Sequence, residues 1–167
     1  MVLYNHKREG NPTNQKGRPM RICFDLDGCI CDLYSVPDWL EKLRAYDPTP
    51  YAEAGVMLNM QLLARLLNRA QAAGNELVIV SWLSKEPTPE YDEAVTAAKL
   101  AWLHQHLHSV QWNEINIVSH GYCKNNFCMS ENDILFDDEE KNREDWNGEA
   151  YAPNEIISIL KEIIKGD

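Results

Sequence analysis

Positive charge is scarce in this chain: 16 Lys and Arg stand against 26 Asp and Glu in 167 residues, a formal net charge of −10. That balance argues against a nucleic-acid surface, whose footprint is basic, although it leaves room for a local basic pocket. No apolar run approaches the length of a membrane span, and no signal-peptide pattern precedes the first strand. Cysteines number 5, an odd count without framework spacing. Reduced thiols in a cytoplasmic protein are therefore expected. Cys29-Ile30-Cys31 and Cys123-x4-Cys128 lack the paired spacing of zinc ribbons and read as small buried or half-buried thiols. His104, His106 and His108 are two apart, which does not place them on one helical face, so no metal site is expected there. Internal repeats are absent. Residues 1–19, rich in Asn, Gly, Pro and basic side chains, read as a flexible N-terminal arm. Residues 20–167 read as a single domain large enough to bury a core.

What is present begins at Arg21-Ile-Cys-Phe-Asp25-Leu-Asp27-Gly28. Ile22, Cys23 and Phe24 form a short apolar run that reads as a buried strand. It ends in two aspartates one residue apart. In extended chain such residues point the same way, so Asp25 and Asp27 can converge at a strand's carboxyl end, where α/β proteins place ligands. Gly28 lets the backbone turn away. Two carboxylates this close resist joint ionisation unless a cation lies between them. A hard divalent cation with oxygen ligands, Mg2+ first, meets that need. Asp-x-Asp-Gly is also good turn chemistry, so the rest of the chain has to decide.

Downstream, strands and helices alternate. Ser35-Val-Pro37-Asp38 reads as a helix start with Ser35 as cap, and the helix runs Trp39–Tyr46. A second helix carries Leu58, Leu62, Leu66 and Ala70 on one face and closes at Gly74-Asn75. Leu77–Val80 is a strand ending in Ser81-Trp82-Leu83-Ser84-Lys85. Thr88-Pro89 opens a third helix with the stripe Tyr91, Val95, Ala98 and Trp102. Ile115–Val118 is a third strand, followed by a loop carrying Lys124. Asp133–Phe136 is a fourth, ending in Asp137-Asp138-Glu139-Glu140. A loop with Trp146 and Gly148 leads to a last helix, Asn154–Lys165. This alternation predicts an α/β fold on a parallel sheet. All the strand ends then share one edge, where Asp25, Asp27, Ser81, Lys124, Asp137 and Asp138 meet.

Asp25-Leu-Asp27-Gly28, Val78-Ile-Val-Ser81, Lys124 and Ile134-Leu-Phe-Asp137-Asp138 together resemble the four motifs of the haloacid-dehalogenase (HAD) superfamily of phosphotransferases, over roughly residues 20–165. The strings "VIVSWLSK" and "ILFDDEEKNREDW" are similar to small bacterial and phage members of the 5′-nucleotidase or deoxyribonucleotidase type. The resemblance implies a HAD-like Rossmannoid three-layer sandwich with a parallel central sheet and a minimal cap. It implies Asp25 as the nucleophile, forming an aspartyl-phosphate, and Asp27 as general acid and then base. An acid two residues after the nucleophile fits phosphoryl transfer better than dehalogenation. Ser81 would hydrogen-bond a phosphoryl oxygen and Lys124 would neutralise developing charge. Mg2+ would be held by the Asp25 carboxylate, the Asp27 backbone carbonyl and Asp138 or Asp137. Asp32 matches an acid found in nucleotidase-like members and reads as a helper or as a helix entry. Ser84 competes with Ser81, which ends its strand directly; Lys85 competes with Lys124 but lies early in the chain for the family's lysine. Cys29 replaces the commoner threonine or valine, and Asn142 stands where some members carry an acid.

The room for a cap is small, an insert over about 33–57. A minimal cap leaves the site open, which suits a large substrate or a small one closed in by a second copy of the chain. Trp39, Tyr46, Tyr51 and Trp82 could stack on a base, Trp82 being the better pocket residue and Trp39 equally suited to the core. The expected activity is a Mg2+-dependent phosphomonoester hydrolase acting on nucleotides. The alternatives are a phosphatase for a phosphorylated nucleic-acid end or protein, which the charge opposes for nucleic acid, and a non-catalytic HAD-fold binding or regulatory module.

Overall fold

A computed structural model describes residues 2–5, 18–86 and 88–166. The strands are β1 (Val2–Asn5), β2 (Arg21–Phe24), β3 (Cys31–Asp32), β4 (Gly55–Val56), β5 (Glu76–Trp82), β6 (Glu114–Val118), β7 (Ile134–Phe136) and β8 (Glu149–Tyr151). The helices are α1 (Trp39–Arg44), α2 (Thr49–Glu53), α3 (Met60–Ala72), α4 (Pro89–His106), α5 (Glu140–Glu144) and α6 (Ile156–Lys165). Six strands form one sheet in the order β1-β6-β5-β2-β7-β8. Five are parallel, and β1 pairs antiparallel with β6. This is a HAD-like Rossmannoid arrangement with β2 at the centre.

The strand order explains where a ligand would sit. From β2 the chain crosses to β5 and on to β6, then returns to β7 on the other side of β2. Connections thus leave β2 in both directions, and a crevice opens at the carboxyl ends of β2 and β7. Asp25 N–H donates to the Phe136 carbonyl at 2.9 Å, so the ladder continues to the point where the aspartates begin.

Alternation along the short strands divides the core between the two faces. Ile22, Phe24, Leu77 and Ile79 pack with Leu63 and Leu67 of α3, Trp102 of α4 and Leu160 of α6. Cys23, Val78, Val80 and Leu135 face the other way, under Trp146, Phe127 and Ala150. That second layer is thin, made of a 3-10 turn (Lys124–Phe127), short α5 and loop.

Several local readings hold and others change. Thr88 caps α4 by accepting from Tyr91 N–H at 3.2 Å, with Pro89 at the first position. Gly74 closes α3 with φ +101°. Ser35, expected to cap the first helix, instead ends a 3-10 turn, Leu33–Ser35. Pro37 holds Val36 in extended backbone (φ −69°, ψ 127°), so the helix starts only after Asp38, which adopts φ 56°. Residues 149–151, read as loop, form an edge strand whose three residues are specified by pairing with β7 rather than by any pattern of their own. Of the expected N-terminal arm, Val2–Asn5 instead form β1, held by pairing with the outer strand β6. Residues 6–17 lie outside the described residues.

The expected insert holds the Leu33–Ser35 turn, α1, α2 and the β3–β4 hairpin. It is fastened to α4. Trp102 Nε1 donates to the Ala54 carbonyl at 2.8 Å, and the Tyr91 hydroxyl donates to the Asp47 carbonyl at 3.3 Å.

Candidate active site

Asp25 follows directly on β2 and is 7% exposed. The Lys124 ammonium pairs with it at 3.1 Å and donates to Asp137 Oδ2 at 2.6 Å. Lys124 comes from the 3-10 turn after β6, and its ammonium lies 5.0 Å from the centre of the Trp82 ring. Burial opposes its charge, but Asp25 and Asp137 more than offset that and hold its pKa above the ordinary lysine value. Lys85 is exposed on the cavity rim, away from this arrangement.

The two aspartates after β7 differ in what engages them. Asp137 is fully buried and accepts from Lys124, from Asn142 Nδ2 at 3.2 and 3.3 Å, and from the Glu139 N–H at 2.9 Å. Asn142, noted as a departure from the family pattern, is thus a support for Asp137. The Arg143 guanidinium clasps the turn from behind, donating to the Asp137 and Asp138 carbonyls at 2.9 and 2.8 Å. No other described residue donates to the Asp138 side chain, which lines the cavity. Burial, with Asp25 and Asp137 adding negative charge, pushes its carboxyl up to about 7. Gly28 (φ +75°) permits this approach, because a Cβ there would meet Asp138 Oδ2 at 2.5 Å.

Asp25, Asp137 and Asp138 each offer a carboxylate oxygen within 4.8 Å of the others. Among the described residues, this is the one cluster of Asp, Glu, His or Cys that could hold a metal ion; the histidine run and the cysteines form none. The donor set is all oxygen and strongly anionic, which fits a hard divalent cation. Asp138, raised by burial and by the like charge of Asp25 and Asp137, faces the cavity beside them.

Asp27 is held by a residue that the sequence patterns did not single out. Lys99, on α4 and 2% exposed, donates to Asp27 Oδ2 at 2.6 Å, to Ser81 Oγ at 2.7 Å and to the Trp82 carbonyl at 2.7 Å. Burial pushes the Asp27 carboxyl up, Lys99 opposes this, and Asp25 adds to it. Asp27 Oδ1 is buried without a partner among the described residues. A signal for Lys99 existed: it falls four residues after Val95 and eight after Tyr91, on the buried stripe. Ala98, placed on that stripe from sequence, is its half-buried neighbour.

Ser81 is fully buried at the end of β5 and does not line the cavity, whereas Ser84 does, with an Oγ that lacks a partner. Lys99 occupies a lone pair of Ser81 and leaves its hydroxyl hydrogen free to be donated. Trp82 lines the cavity, pinned by a bond from Nε1 to the Tyr122 carbonyl at 2.9 Å. Its ring lies 4.8 Å from that of His120, tilted by 50°. Burial, with Lys85 and Lys124 nearby, pulls the His120 pKa below the ordinary value. Asp32 lies on β3, off the cavity, and its side chain makes no capping bond to the turn that follows.

The cavity itself measures about 460 Å³. Asp25, Asp27 and Asp138 form its floor; Tyr34, Trp39, Tyr46 and Trp82 contribute aromatic wall, and Arg44 and Lys85 bring cations. The parallel sheet and its strand order match a HAD-like Rossmannoid fold. Within it, the chain is similar in structure to a D,D-heptose 1,7-bisphosphate phosphatase from Burkholderia thailandensis, at a TM-score of 0.52 and 9% identity, over 87% of this chain and 98% of that one. No protein-family model matches the chain, and no curated protein matches it in sequence.

Proposed function

We propose that the chain is a phosphomonoester hydrolase that forms an aspartyl-phosphate on Asp25, with nucleotides as substrates. One observation carries the reading: Asp25 and Asp27 after β2 meet Asp138 after β7 on one cavity at the sheet's switch point, with the Lys124 ammonium paired to Asp25 at 3.1 Å. The structural neighbour is itself a phosphatase by name, which supports the class of chemistry.

In this reading a phosphoryl group enters above Asp25, and a carboxylate oxygen of Asp25 attacks phosphorus as the bond to the leaving oxygen breaks. Asp27 gives its proton to that oxygen; its raised pKa favours the protonated starting form. Water then attacks the aspartyl-phosphate, Asp27 takes the water's proton, and Asp25 is released with inorganic phosphate. Lys124 neutralises charge on the equatorial oxygens, and Ser84, which lines the cavity, donates its hydroxyl hydrogen to one of them in place of the fully buried Ser81. Asp25, Asp138 and the Asp27 carbonyl would hold Mg2+, which when bound screens the nucleophile from the phosphate dianion and orients its oxygens. Asp137 acts one step back, keeping Lys124 in place.

The cavity supports a nucleotide as the substrate class. About 460 Å³ accommodates more than a bare phosphate. Trp82 offers a rigid face held by its own hydrogen bond, and Trp39 and Tyr34, packed edge to face with ring centres 5.0 Å apart, add a second aromatic surface to the lining. Stacked bases suit such walls. The test is phosphate release from nucleoside 5′- and 3′-monophosphates, sugar phosphates and an aryl phosphate, with Mg2+ or chelator. Wild type and Asp25→Asn are compared. Release confined to nucleotides, dependent on metal and lost in Asp25→Asn, is expected. Release from sugar phosphates alone would overturn the substrate class, and full activity in Asp25→Asn would overturn the mechanism.

A further inference from the structure

The buried cation on α4 has no place in the four-motif pattern, yet it makes more contacts with the proposed machinery than Ser81 does. Lys99 is 2% exposed, so its charge needs close polar partners. Lys99 has three oxygens at 2.6–2.7 Å: the carboxylate of the acid Asp27, the buried hydroxyl of Ser81 and the backbone carbonyl of the wall residue Trp82. Its ammonium also lies 5.0 Å from the centre of the buried Tyr51 ring, which belongs to the cap segment. The other residues on the same stretch of α4, Tyr91 and Trp102, hold the cap backbone at Asp47 and Ala54.

We infer that Lys99 is a positioning residue for proton transfer: it clamps Oδ2 of Asp27 and so fixes the orientation of the acid's carboxyl group. The inference rests on the phosphatase reading above. Its geometric support is the asymmetry of the Asp27 carboxylate, with Oδ2 bound to Lys99 and Oδ1 buried without a partner among the described residues. A carboxylate free to rotate would present either oxygen at varying distance, whereas one oxygen pinned by a buried ammonium leaves the other fixed. Lys99 touches neither phosphorus nor the leaving group and acts through Asp27. Because α4 also carries the cap anchors, the helix sets the acid and the cavity wall together.

Leaving-group dependence separates this role from a merely structural one. Nitrophenolate departs without a proton, whereas a nucleoside alkoxide needs one. Lys99→Met, with Asp27 no longer held, is expected to release about one equivalent of nitrophenolate per enzyme in a burst and then stall as the aspartyl-phosphate. The second step still needs Asp27 to accept the water's proton. On a nucleoside monophosphate the same variant shows no burst and a loss of about 10²–10⁴-fold, the range general acid–base catalysis supplies. In the Asp27→Asn background Lys99→Met is expected to cost nothing further. Equal losses on both substrates without a burst, or losses that multiply with Asp27→Asn, would overturn the inference. Circular dichroism checks the fold. If Lys99→Met is unfolded, Lys99→Arg keeps the charge but cannot bring one nitrogen to three oxygens, and is expected to show the same burst. Wild-type behaviour of Lys99→Arg would then overturn the inference. A wild type that releases no phosphate from any substrate, with Mg2+ present, would remove the phosphatase reading instead.

Discussion

Asp137 and Asp138 are neighbours of identical chemistry, and only their contacts tell them apart. Asp137 is enclosed by Lys124, Asn142 and the Glu139 N–H, while the Asp138 side chain faces the cavity and no other described residue donates to it. Their asparagine variants should therefore fail in different ways. Asp138→Asn is expected to keep its stability, and to need far more Mg2+ for half-maximal phosphate release. Asp137→Asn strips a buried ammonium of its shortest ion pair and should lose about 3–5 kcal/mol, the usual result of breaking a buried pair. Denaturant melts and Mg2+ titrations of both variants check this. Interchanged phenotypes would reverse the assignment.

Among the elements, the least legible from sequence is β8, three residues that follow short α5. Its position depends on Gly148, where an added Cβ would run into the Asp133 backbone carbonyl and lie 2.9 Å from Trp146 Nε1. Trp146 Nε1 donates to that same carbonyl at 3.0 Å. Asp133 in turn uses its carboxylate to hold the Arg21, Met129 and Ser130 N–H groups at 3.0, 2.7 and 3.0 Å. One buried residue thus ties the starts of β2 and β7 to the loop before them. Gly148→Ala forces apart a backbone contact that cannot yield as a flexible side chain would. A loss of about 1–3 kcal/mol is expected, in line with overpacking, measured as a lowered denaturant midpoint. An unchanged midpoint would mean that β8 can shift without cost. The long elements were legible because their periodicity is local, as with α3 and the Thr88 cap of α4. Short β1, β3, β4 and β8 carry too few residues for a pattern to show.

Taken whole, the molecule gathers negative charge at its site on top of a formal −10. Burial is the first cause that raises Asp27, Asp137 and Asp138, and in each case Asp25 adds to it. The folded chain therefore keeps protons that the unfolded chain releases between the ordinary carboxylate range and about 7, the value for Asp138. Where the folded state binds more protons, stability falls as pH rises. Metal-free protein is expected to melt at progressively lower temperature from pH 5 to pH 8. Saturating Mg2+ would bind the ionised cluster of the folded state, so the gain in melting temperature should grow over the same range. Thermal melts with chelator or Mg2+ at each pH check both slopes. A Mg2+ gain that is flat with pH would contradict the metal reading. No helix among the described residues is long and apolar enough to cross a membrane.

The sequence by itself determined where the reactive groups would stand. Apolar runs ending in Asp25-x-Asp27, Ser81 and Asp137-Asp138 are local patterns, and a parallel sheet aligns such ends whatever their separation in the chain. Tertiary structure alone decided which groups touch. It placed Asp138 in the open and Asp137 behind Lys124, moved Asp32 off the cavity, and brought Lys99 from a helix stripe to Asp27. The α4 stripe marks position 99 as buried but not what its charge meets, because its partners, 18 and 72 residues away, are assembled only by the fold.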